Sequence, residues 1–132
     1  AVDVDVHVAC STGTYVRAIA RDAGADLGVG GHLTALRRTR VGAFAVDAAT
    51  DIDTLAAIAD GAVIPMNEVA ARCFATWTVG PEDADAVRHG RRIPWTGPPS
   101  ADGPVAIVAE DGEFLALGAP DDGLARYLAV LA

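Results

Sequence analysis

The chain has 132 residues, enough for one ordinary domain or two small ones, and 52% of them are hydrophobic, which excludes global disorder. Only 5% are aromatic, so a core has to come from Ala, Val, Leu and Ile. The net charge is −8, which on its face argues against a nucleic-acid partner. No apolar run reaches the roughly 18 residues of a membrane span, and no basic stretch leads into an apolar one as in a signal peptide. A soluble, cytoplasmic protein with no membrane partner is expected.

The elements follow in chain order. Val2-Asp3-Val4-Asp5-Val6-His7-Val8 alternates strictly and predicts a half-buried strand with Val on one face. A domain rarely opens with no residue to spare before a core strand, so a fragment or processed piece with a partner segment elsewhere is expected. Asp3, Asp5 and His7 share the opposite face, which reads better as solvated than as a metal site. Cys10-Ser11-Thr12-Gly13-Thr14 offers several N-caps to a helix whose Val16, Ile19, Ala20, Ala23 and Leu27 form one apolar stripe. Gly28 is placed to end it, and Gly30-Gly31 favours a turn. Leu36 to Phe44 reads as an Arg-rich strand. A second helix is expected from Asp51 to about Ala59, with Thr50 and Asp53 as a near capping box and Ile52, Leu55 and Ile58 inward.

Pro65, an Ala-rich run and Arg72 read as a connector, which puts a domain boundary near residue 70. Beyond it Phe74 to Val79 alternates as a strand. Pro81 with Glu82 and Asp83 starts a helix that Arg88, His89 and Gly90 close. Arg91 to Trp95 reads as another strand, Thr96 to Pro104 as a mobile loop. Asp111-Gly112 marks a hairpin between Val105–Ala109 and Glu113–Leu117. Leu124 to Leu131 fits a strand or a helix. The second unit therefore reads as a small, mostly β barrel.

Charge is unevenly placed. Cys10 to Phe44 holds Arg17, Arg21, Arg37, Arg38 and Arg40 against Asp22 and Asp26, a net +3 that leaves −11 for the rest of the chain. Such an island fits a phosphate-binding face or ordinary surface charge equally. All ten basic residues are Arg. Cys10 and Cys73 lie far apart and read as buried or half-buried thiols rather than a disulfide or metal site. Gly13-Thr14-Tyr15-Val16-Arg17 falls at a strand-to-helix junction, where backbone amides can hold an anion. Arg17 and Arg21 form a like-charge i, i+4 pair that needs a compensating acid.

Cys10-Ser11-Thr12-Gly13-Thr14-Tyr15-Val16-Arg17, followed by Ala20-Arg21-Asp22, closely resembles the GTYIR-containing motif of TruB-type tRNA pseudouridine synthases. Gly30-Gly31-His32-Leu33-Thr34-Ala35-Leu36-Arg37-Arg38-Thr39-Arg40-Val41-Gly42 resembles their second C-terminal motif at matching spacing. The two blocks cover less than a third of the chain. The remainder from about Phe74 resembles, more weakly, a PUA-like domain. Thr12 departs from the pattern, since many relatives carry a basic residue there.

The resemblance implies an α+β fold, with residues 1–70 the C-terminal portion of a catalytic domain and 71–132 a PUA-like RNA-binding barrel. It implies an isomerase that flips the T-arm uridine of tRNA out of its loop and rejoins the base through carbon, with no metal or organic cofactor. The nucleophilic aspartate of these enzymes lies in a G-x-T-G-x-L-D-P motif, and no Asp here is preceded by Leu and followed by Pro. The chain alone is therefore expected to be inactive and to need the N-terminal segment of the same enzyme. By match, Arg17 pairs with that aspartate, Tyr15 lies beside the flipped base, and Leu36 packs on it. Arg21, Arg37, Arg38 and Arg40 are implied RNA contacts, as is an edge formed by Arg88, Arg91 and Arg92; that Arg88 and His89 merely complement the helix C-terminus is the competing reading. A monomer is expected. A non-catalytic RNA-binding module that keeps the fold is the alternative.

Overall fold

The architecture comes from a computed structural model that describes residues 2–99 and 103–131. Two units divide the chain, Ala1–Arg38 and Thr39–Ala132.

Among its described residues the first unit has a single regular element, α1 (Val16–Asp26). The strand expected at Val2 to Val8 is not formed. Val2, Val4 and Val6 are 89%, 74% and 68% exposed, because alternation defines a face but a strand also needs a hydrogen-bonded neighbour. None of the hydroxyl residues before α1 caps it; Tyr15 is the N-cap and lends no side-chain bond. The apolar stripe is only partly covered. Val16 and Ala20 are half-buried, whereas Ile19, Ala23 and Leu27 are exposed.

What does cover α1 is its own return loop. Val29 N and Gly30 N both donate to the Gly24 carbonyl, at 3.0 and 2.9 Å, which turns the chain back across the helix. Gly24 is buried there against the backbone of Gly30 and Gly31, and Gly31 lies on the Ala20 carbonyl. A Cβ at either glycine would overlap those backbone atoms, so the crossing is possible only with two bare Cα atoms.

The second unit opens with β1 (Arg40–Val41) paired antiparallel to β2 (Phe44–Ala45). The long Arg-rich strand expected from Leu36 shrinks to this two-residue ladder, since the turn at Gly42 ends it. The helix expected from Asp51 is split into α2 (Ile52–Leu55) and α3 (Ala59–Ala62). Asp51, not Thr50, is the N-cap, with its carboxylate accepting from Asp53 N at 2.8 Å. Ile52, Leu55 and Ile58 are exposed, so no buried face sustains a longer helix.

The stretch expected as a connector is α4 (Met66–Cys73), with Pro65 as N-cap. Helical phase hides in its composition: Ala70 is buried and Val69 half-buried, and Ala70 packs with Phe74, Ala106, Phe114 and Leu117. Cys10 and Cys73 are both exposed free thiols, correcting the expectation of burial.

The sheet has four strands in the order β3 (Ala75–Val79), β4 (Val105–Ala109), β5 (Phe114–Asp121), β6 (Leu124–Val130). β3 runs parallel to β4 and the other pairs are antiparallel. The β3–β4 crossover contains α5 (Pro81–Arg88), started by Pro81 and stopped before Gly90 as the sequence predicts. β4 reads Val-Ala-Ile-Val-Ala without alternation because both its faces are covered. Val105, Ile107 and Ala109 join the core with Ala84 and Val87 of α5, while Ala106 and Val108 face the α4 cluster.

The expected strand Arg91–Trp95 is reduced to an isolated bridge between Pro94 and Leu124. Pro94 has no N–H to continue a ladder. The segment still follows β6 through Ala125 N to Ile93 O and Trp95 N to Gly123 O, both 2.8 Å. Among the described residues no backbone ladder closes the sheet into a barrel. Its two edges meet through side chains instead, with the Trp77 and Trp95 rings 4.7 Å apart and Gly97 against Trp77, where a Cβ would come within 2.7 Å of the ring. Of the loop expected at Thr96 to Pro104, residues 100–102 lie outside the described residues.

Candidate functional site

The Gly13-to-Leu36 region gathers the first motif and the start of the second on one unit. Tyr15 and Arg17 open α1, and Arg21 follows one turn later on the same face. The return loop places Gly31, His32 and Leu33 across from them. Tyr15, Arg17, Ala18, Arg21, Gly31, His32 and Leu33 together line an open cleft of about 300 Å³. The glycine crossing sets its width, since Gly31 touches Ala20 and the next two residues form the far wall.

Electrostatics differ sharply between the two arginines of α1. Arg21 Nε donates to Asp22 Oδ1 at 2.7 Å. That bond holds the Asp22 carboxyl below its ordinary range and raises the Arg21 guanidinium, so the acid that the like-charge pair requires is supplied by the next residue. Arg17 has no hydrogen bond or ion pair among the described residues. Neither have Arg37 and Arg38, which are exposed. Leu36 is 57% exposed but is not among the cleft-lining residues. Arg40, in the second unit, bonds the Gly42 carbonyl at 3.3 Å.

The basic cluster of the second unit is occupied. Arg88 pairs with Glu113, which raises its guanidinium, and Arg91 pairs with Asp85 at 2.6 Å. Arg92 reaches Asp121 Oδ2 at 2.7 Å and the carbonyls of Ala125 and Asp121, both at 3.0 Å, fastening the segment after α5 to the β5–β6 hairpin. Asp85 also lies 3.4 Å from His89 Nδ1. Tyr127 donates to the Arg91 carbonyl at 2.8 Å, and burial raises its phenol above the ordinary value.

The structure brings the expected site residues Tyr15, Arg17 and Arg21 to one cleft, together with Ala18, Gly31, His32 and Leu33, for which the sequence predicts no role. The signal that could have found them is Gly24 six and seven residues before Gly30-Gly31, a spacing that permits a backbone-on-backbone crossing. Among the described residues no helix is long and apolar enough to cross a membrane.

Two family models match in tandem: the tRNA pseudouridylate synthase B C-terminal domain over residues 17–72, and tRNA pseudouridine synthase II, C terminal, over residues 74–132. The chain is 53% identical to tRNA pseudouridine synthase B of Cutibacterium acnes over 98% of its own length and 44% of that protein. It is 48% identical to tRNA pseudouridine synthase B of Thermobifida fusca, over 99% of the chain and 43% of that protein. It thus spans less than half the length of these curated relatives. Among solved structures, a chain of a Cbf5-Nop10-Gar1 complex matches with a TM-score of 0.68 at 24% identity, over 89% of this chain and 45% of that one. A chain of the archaeal box H/ACA sRNP Nop10-Cbf5 complex matches with a TM-score of 0.67 at 25% identity, over 89% and 47%. With both motifs in place and near 50% identity over nearly its whole length, the chain belongs to the TruB family of tRNA pseudouridine synthases, as a C-terminal portion.

Proposed function

We propose that this chain is the C-terminal portion of an enzyme that isomerises the T-arm uridine of tRNA to pseudouridine. The observation that carries the reading is Arg17, a guanidinium on a cleft beside Tyr15 with no carboxylate partner among the described residues. In the whole enzyme the nucleophilic aspartate comes from the N-terminal segment, and Arg17 keeps it ionised and oriented. Tyr15 packs beside the flipped base and Leu36 packs on it. The glycosidic C–N bond breaks, the base turns, a C–C bond forms to the same sugar carbon, the proton on that base carbon is released, and the freed ring nitrogen takes up a proton.

Arg21, Arg37, Arg38 and Arg40 hold backbone phosphates. Arg88, Arg91 and Arg92 form a secondary RNA-facing edge that must trade their present carboxylates for phosphate. The working division is a catalytic portion through about residue 70 and a PUA-like RNA-binding portion from 71 to 132. The exposed valines of Val2 to Val8 and the open stripe of α1 support a covering N-terminal segment. The protein acts in the cytoplasm, as a monomer.

The test uses a T-arm stem-loop labelled with tritium at C5 of the target uridine. Tritium release is expected from the enzyme carrying its N-terminal Leu-Asp-Pro segment and none from the 132-residue chain. Release by the chain alone would overturn the assignment of the nucleophile.

A further inference from the structure

His32 lies on the wall opposite α1, directly after Gly31, whose backbone is pressed onto Ala20. Its place is therefore fixed by a backbone contact rather than by packing of its own ring. The ring is exposed and makes no hydrogen bond or ion pair among the described residues.

The chemistry of the lining is one-sided. Its polar side chains are the guanidiniums of Arg17 and Arg21, the Tyr15 phenol and the His32 imidazole. Each offers an N–H or O–H, and no carboxylate is among them; Asp22 engages Arg21 from outside the lining. A lining rich in donors and without a carboxylate suits a ligand made of acceptors, and in RNA the densest acceptor is the phosphate. Imidazole carries at least one N–H in either protonation state, so the role needs no titration.

We propose that His32 is a substrate-contacting residue whose imidazole N–H donates a hydrogen bond to a backbone phosphate of the RNA bound in this cleft. The identity of the ligand rests on the pseudouridine synthase reading above. His32 helps to hold the strand on which the reacting nucleotide is carried, while Arg17 serves the reacting centre.

The experiment measures binding and single-turnover tritium release of the full-length enzyme on a T-arm stem-loop, for wild type, His32→Ala and His32→Gln. His32→Ala should weaken binding about tenfold, the loss of one hydrogen bond to a charged group, with the saturated turnover rate changed less than about twofold. His32→Gln keeps an N–H donor and should recover most of the affinity. Scanning the stem-loop with single neutral methylphosphonate linkages should reveal one linkage that weakens wild type and His32→Gln but leaves His32→Ala unaffected. Unchanged affinity in His32→Ala, no recovery in His32→Gln, or additive effects at every linkage would each overturn the assignment. If wild type releases no tritium, the functional reading fails and takes this assignment with it. If wild type turns over and His32→Ala binds as tightly, the His32 assignment alone falls.

Discussion

The two units are opposites in how they treat apolar surface and charge. Every buried hydrophobic residue among those described, from Ala70 to Ala125, belongs to the second unit, and the first unit buries only Gly24. In the second unit Arg88, Arg91 and Arg92 are all tied to acids of the same unit. In the first, Arg17, Arg37 and Arg38 have no such partner among the described residues. The difference teaches where each unit's free energy is spent. The second buries a core around β4, although its Ile52, Leu55 and Ile58 stay exposed, whereas the first has no buried apolar side chain among the described residues and leaves Arg17, Arg37 and Arg38 without an acid.

That contrast can be broken by a pair of core substitutions. Leu115 is fully buried in β5, so Leu115→Ala should destabilise the second unit by about 2–5 kcal/mol in urea unfolding. Ile19→Ala in the exposed stripe of α1 should change stability of the 132-residue chain by less than about 0.5 kcal/mol. Comparable losses at both positions would mean that the first unit has a core of its own.

The charge contrast is sharpened next. Arg17→Ala in the full-length enzyme should lower single-turnover tritium release about a hundredfold and change stem-loop affinity much less. Equal losses in rate and affinity would make Arg17 chiefly a phosphate ligand. Smaller effects separate Arg38 from Arg92. Arg38→Ala should reduce the slope of log affinity against log salt by about one, with unfolding unchanged. Arg92→Ala should reduce that slope by less, since its guanidinium is shared with Asp121, and cost about 1 kcal/mol of stability, since it breaks bonds to Ala125 and Asp121. An unchanged salt slope in Arg92→Ala would remove Arg92 from the RNA-facing edge.

The smallest effect concerns pH. Burial raises the Tyr127 phenol, so folding favours its neutral form. The stability this gives is complete below the ordinary phenol value of about 10 and is lost as pH rises through the higher folded value. Unfolding midpoints of the chain should therefore fall above about pH 10, and Tyr127→Phe should flatten that fall. An identical alkaline fall in the variant would remove Tyr127 as its cause.

Local signals were legible in the sequence where they are self-contained. Pro81, Glu82 and Asp83 start α5 and Gly90 ends it, because capping and dipole effects act within one turn. Asp111-Gly112 marks one hairpin, and Asp122-Gly123 marks the next with equal force. Both of its residues have positive φ, 50° and 74°, as a primed two-residue turn needs. Elements that depend on a distant partner are not legible locally. Val2 to Val8 carries a perfect strand pattern without a neighbour, and Met66–Cys73 carries a helix whose buried anchor, Ala70, is invisible without Ala106 and Phe114.

The same division holds for the cleft. The sequence by itself determined the family, the basic island and the pairing of Tyr15 with Arg17 at the start of a helix, since these are matters of residue type and short spacing. Only the tertiary structure decided that His32 faces those residues and that Arg92 is already engaged. A backbone crossing at Gly24 and Gly31, and an ion pair 29 residues apart in sequence, are distances in space that no local pattern encodes.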